Sequence, residues 1–145
     1  MEFATKSHAP TTQMQPYIFF YGRCEEALEF YKTVFGGSCE IMRVKDAPMA
    51  DQWPADSQNK VMHACFTAPG ISLLASDGRE TKIVDPDAGN ISIALSVTDG
   101  AEGERLVHVL SQGGKVTMPL DAAFWGGRFA MFVDRFGIEW LLTTP

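Results

Sequence analysis

The sequence is poor in cysteine, histidine and clustered positive charge, and each scarcity removes a class of protein. Its three cysteines, Cys24, Cys39 and Cys65, are odd in number, far apart and without a CxxC pair, so no disulfide framework or cysteine-rich zinc site is written in it. With no leader-like segment ahead of them, a reducing cytoplasm is the expected setting. The apolar runs fall far short of the ~18 residues that span a bilayer. Three histidines, His8, His63 and His108, show neither HxH nor HxxxH spacing. Twelve Lys and Arg stand against eighteen Asp and Glu, a net charge of −6, with no basic cluster for nucleic acid or an anionic membrane. GxSxG and GxGxxG are both absent, which removes the usual serine-hydrolase and dinucleotide-binding signatures. A small-molecule partner is what remains.

What is present fits one globular domain: 145 residues, 46% hydrophobic and 21% charged. Residues 1–13 are polar and aperiodic and are expected to be a disordered extension ahead of a single domain over 14–145. "PYIFFYG" is bounded by Pro16 and Gly22 and is rich in aromatic residues, as a strand requires. From Cys24 to Phe35, Ala27, Leu28, Tyr31, Val34 and Phe35 fall on one helical face with Glu25, Glu26, Glu29 and Lys32 opposite, and Gly36-Gly37 ends the run. "SCEIMRVKD", a polar loop from Ala47 to Asn59, "KVMHACFTA", a turn at Pro69-Gly70 and "ISLLAS" complete a first set of elements.

The same order returns. "NISIALSV" alternates Ile91, Ile93, Leu95 and Val97 with Ser92, Ala94 and Ser96. Asp99 then caps a helix with Glu102 completing a capping box, and "KVTM", "GRFAMFVD" and "GIEWLLT" supply three strands. Gly36-Gly37 and Gly113-Gly114 lie 77 residues apart, and "GISLLAS" precedes "GIEWLLT" by 67. Two βαβββ modules, about 15–77 and 90–144, explain both offsets, the second connection being the shorter. The fold class is α+β.

Alternation then sorts the faces. If Ile93, Leu95, Trp140 and Leu142 pack on helices, Ser92, Ala94, Glu139, Leu141 and Thr143 face the other way, because a one-residue slip would invert every side chain. Glu139 there must be paired, hydrogen-bonded or protonated. Arg128, on the neighbouring strand, is its expected partner in a cross-strand pair, the alternative being a ligand contact. His63 lies on the first module's central strand, either as a general base lining a cup or as a core or interface histidine bonded to backbone. Trp125, beside Gly126-Gly127, is placed to stack on a ligand or simply to pack. Trp53 in the polar loop is a second lid element or a dimer contact. Asp134 to Gly137 read as a hairpin turn with Gly137 at positive φ.

In "PYIFFYGRCEEALEFYKTVFGG", "VMHACF", "LLASD", "GGKVTMPL" and "FWGGRFAMFVDRFGIEW" the chain resembles the vicinal oxygen chelate superfamily of glyoxalase I, extradiol dioxygenases and the bleomycin and fosfomycin resistance proteins. More closely it resembles the PhnB-like branch, also called the 3-demethylubiquinone-9 3-methyltransferase family. The resemblance implies that the modules curl into a cup of curved mixed sheet holding a ligand, commonly within a homodimer. It also implies four divalent-metal positions, which fall here on or next to Pro16, within Leu73 to Ala75, on Ser92 and on Leu141. None offers a good ligand. The expectation is therefore a cup without metal or other cofactor. Glu139 and His63 are its candidate catalytic residues, for lyase- or isomerase-type proton transfer, and Phe20, Ser92, Trp125, Arg128 and Leu141 its candidate ligand contacts. A metal-dependent glyoxalase- or dioxygenase-type enzyme and a drug-sequestering protein of the bleomycin-resistance type are the alternatives.

Overall fold

The structure, a computed structural model, describes residues 12–78 and 90–145. The first module runs β1 (Tyr17–Phe19), α1 (Cys24–Phe35), β2 (Ser38–Arg43), β3 (Val61–Ala68) and β4 (Ile71–Ser76). The second runs β5 (Ile93–Ser96), α2 (Gly100–Leu110), β6 (Lys115–Ala122), β7 (Arg128–Val133) and β8 (Glu139–Thr144). Each module folds into an open, mixed four-stranded sheet, in the orders β1-β4-β3-β2 and β5-β8-β7-β6. The outer pairs, β1 with β4 and β5 with β8, are parallel and the remaining pairs antiparallel. Identical strand order in both halves is the duplication expected from the glycine spacing. The expected N-terminal extension falls almost entirely outside the described residues.

The polar loop carries three short 3-10 turns, at Val44–Asp46, Ala50–Gln52 and Ala55–Ser57. Ile91 departs from the expected alternation: it precedes β5 and is exposed. β8 follows the pattern, with Trp140, Leu142 and Thr144 buried and Glu139, Leu141 and Thr143 only partly covered.

The buried faces of both sheets and both helices share one core, containing Leu28, Tyr31, Phe66, Leu110, Phe132, Trp140 and Leu142. Two buried aspartates organise it. Asp77, just after β4, accepts from Cys24 N at 2.8 Å and Val61 N at 2.7 Å, and so caps α1 from a distant segment where Arg23 makes no side-chain cap. Asp134 accepts from the Phe136 and Ile138 amides at 2.9 and 3.0 Å through Oδ1, and from the Tyr31 hydroxyl at 2.5 Å and Trp140 Nε1 at 2.9 Å through Oδ2. Gly137 closes this turn at φ +86°, as the sequence requires. Tyr31 belongs to the first module and Asp134 to the second. Two cations reinforce the junction, Arg23 lying 4.6 Å from the Phe136 ring centroid and Arg135 4.1 Å from that of Phe30.

Candidate functional site: the outward faces of the two sheets

With one face of each sheet turned to the shared core, the other face is left for a ligand or a partner. On β1, alternation points Tyr17 and Phe19 outward. Their rings lie 5.3 Å apart, and that of Tyr21 follows 6.3 Å from Phe19. His63 stands beside this row: its Nδ1 is 3.2 Å from the Tyr17 hydroxyl and the ring centroids are 5.7 Å apart. The row walls a cleft of about 430 Å³ that is also lined by Val44, Trp53, Lys60, Val61 and Ser76.

The second sheet presents Ala94, Leu141 and Met131 in register across β5, β8 and β7. At one end the Ser92 hydroxyl donates a short hydrogen bond to Glu139 Oε1. At the other, Trp125 meets Phe124 and Phe129 edge-on, with centroids 4.8 and 5.4 Å away. These rings bound a second cleft of about 420 Å³, with Met118, Pro119 and Asp121. Along β8, Thr143, which pairs with Phe129, lies four positions beyond Glu139. The carboxylate and the tryptophan therefore stand on the order of 13 Å apart along the strand.

The structure thus gathers Ser92, Glu139 and Leu141 on one outward face, sets Trp125 at its far end and puts His63 on the other sheet. Two expected contacts are corrected. Phe20 is buried on the core side, against Tyr31 and Phe136, because β1 alternation that turns Tyr17 and Phe19 outward turns Phe20 inward. Arg128 does not pair with Glu139. The hairpin register sets Val133 opposite Glu139 and Arg128 opposite Thr144, on the helix side, where its guanidinium reaches Glu104 of α2 at 3.1 Å. Ser92, adjacent in space though 47 residues away in sequence, is the partner that pattern reading missed. Trp53 lines the first cleft. His108 is exposed and lies 3.3 Å from Gln112 Nε2.

Cys24 and Cys39 are poor nucleophiles by environment. Burial, with the Asp77 charge nearby, pushes the Cys24 thiol up to about 12. Burial and then Glu29 raise that of Cys39. Among the described residues no group of three His, Cys, Asp or Glu side chains is arranged to hold a metal ion. Of the four positions where metal-binding members of the resembled superfamily carry ligands, the first falls on Pro16, without a donor, or beside it on Gln15 and Tyr17, which are engaged by Ser72 and His63; Leu73 to Ala75 are aliphatic, the Ser92 hydroxyl is engaged by Glu139, and Leu141 has no donor side chain. This donor set does not fit the metal.

Two four-stranded mixed sheets in tandem βαβββ order define the class: a vicinal oxygen chelate fold of the glyoxalase/bleomycin resistance type. A superfamily member from Sphaerobacter thermophilus shares it at 20% identity and a TM-score of 0.55, over 94% of this chain and 100% of that one. So does the PhnB protein from Bacillus cereus, at 24% identity and a TM-score of 0.72, over 92% and 100%. Protein PA1353 from Pseudomonas aeruginosa is 37% identical with a TM-score of 0.79, over 92% of this chain and 98% of that one. A family model described as 3-demethylubiquinone-9 3-methyltransferase matches residues 12–143, and the chain belongs to that PhnB-like family.

Proposed function

We propose that the protein is a homodimer that binds a small, partly apolar molecule against its outward sheet faces without a metal ion. The observation that carries this is the exposure of Tyr17, Phe19, Met118 and Trp125 on those faces, each more than 40% accessible. Large apolar side chains clustered in the open mark a surface meant to be covered. A second copy is the occupant favoured by charge, since Lys60 lines the first cleft whereas Asp121 and Glu139 stand on the second sheet's face. Small molecules would lie in the clefts so enclosed.

Methyl transfer suits this fold poorly. A nucleoside-type methyl donor is ordinarily cradled at a glycine-rich turn of a parallel, doubly wound sheet, whereas each sheet here has a single parallel pair and the chain has no GxGxxG. Proton transfer suits the residues better. Glu139, oriented by Ser92, acts as base, and His63, oriented by Tyr17, supplies the second acid–base group from the other type of face.

The test is a thermal-shift screen of extensively dialysed protein against small metabolites and antibiotics, with the oligomer followed by sedimentation. A compound present at 100 times its dissociation constant should add about 2.7 kcal/mol of stability. Glu139→Gln should abolish turnover or weaken binding at unchanged melting temperature. Stoichiometric metal surviving dialysis would overturn the metal-free reading, and a monomer at micromolar concentration would overturn the dimer.

A further inference from the structure

We infer that the first cleft selects a flat aromatic molecule carrying one anionic group, such as an aryl carboxylate; this rests on the small-molecule reading above and narrows it. The aromatic wall is continuous. Tyr17, Phe19 and Tyr21 follow one another at 5.3 and 6.3 Å, tilted and then stacked, within the 4.5–7 Å at which rings attract. Tyr21 holds this position at φ +47°, the left-handed conformation found in no other non-glycine residue among those described. That conformation costs about 1 kcal/mol, and it keeps the third ring beside the second.

Gly78 leaves the outer edge of the row open. A Cβ there would come within 3.4 Å of ring atoms of both Phe19 and Tyr21, and its φ of +74° already disfavours a side chain. The cleft's 430 Å³ suits one or two fused rings with a substituent.

Charge chooses the substituent. Lys60 is the one charged residue lining this cleft among the described residues, and Val44, Val61 and Ser76 beside it are buried. An ammonium against apolar walls is screened less than in open water, so it attracts a carboxylate and repels an amine. An all-aromatic cage would instead favour a cation, and the Lys60 charge is what decides against that here. The second cleft has the opposite bias, because its charged wall residue is Asp121.

Calorimetric titration with naphthoate, naphthamide and naphthylmethylamine separates ring from charge. Naphthoate should bind tightest and the amine weakest. Lys60→Met should weaken naphthoate about fivefold and leave the amide unchanged. Phe19→Ala should weaken all three, and both variants, at exposed or partly exposed positions, should keep the parent melting temperature. An amine that binds as well as the acid, with Phe19→Ala still weakening both, would overturn the charge assignment and leave the cleft standing. Binding that resists Phe19→Ala but falls with Trp125→Ala would place the compounds on the other sheet, refuting this inference while leaving the proposed function. No heat from any of the three would count against both.

Discussion

Replacing Asp134 by alanine removes a carboxylate that is 2% exposed and accepts four hydrogen bonds. Two of the donors, the Tyr31 hydroxyl and the Trp140 indole, are themselves buried, and each would lose its partner at about 1–3 kcal/mol. The turn amides of Phe136 and Ile138 lose their acceptor as well. The loss should total about 3–5 kcal/mol, a large part of the 5–15 kcal/mol typical of a domain, and lower the melting temperature by about 10 °C or more. Asparagine should fall between. Its oxygen can still serve the two turn amides, and the Tyr31 hydroxyl can rotate to accept from its NH₂, but the Trp140 N–H can only donate. Urea unfolding followed by circular dichroism measures the order wild type, asparagine, alanine. Variants within 0.5 kcal/mol of wild type would refute the view that this carboxylate ties the two modules together, as would asparagine costing as much as alanine.

Burial, followed by the charge and hydrogen bond of Asp134, holds the Tyr31 phenol well above its ordinary range. The unfolded chain then releases that proton first, so the contribution is complete below pH ~10 and is lost as pH rises through the higher native value, at up to about 1.4 kcal/mol per pH unit. Tyr31→Phe should flatten that slope in alkaline urea titrations. With its thiol raised to about 12 and no exposed surface, Cys24 should resist a thiol reagent at pH 8 until the protein unfolds. Asp77→Ala should cost about 1–3 kcal/mol and speed hydrogen exchange at the Cys24 and Val61 amides, both of which it caps.

Most of the fold was legible because two periods were clean. α1 runs from Cys24 to Phe35 as its apolar face and diglycine stop require, and β8 alternates as Glu139 and Trp140 demanded. The repeat fixed the topology, since each glycine offset located an equivalent strand. Contacts between distant segments were less accessible. Glu139 sits at one end of the β7–β8 hairpin and Arg128 at the other, on opposite faces, and only the register of the turn reveals it. Phe20 looked like one more ring in an aromatic strand, yet its parity differs from that of Phe19 and it turns to Tyr31. Asp134 was read as a turn residue because nothing local shows that a tyrosine 103 residues away donates to it.

If small molecules lie on the outward sheet faces, as proposed, methionines report on both clefts: Met62 lines the first and Met118 the second. Protein labelled at the methionine methyl groups should show a saturable shift at Met62 when titrated with naphthoate. Met14, exposed ahead of β1, should not move. A titration that stabilises the protein but moves neither Met62 nor Met118 would contradict the claim.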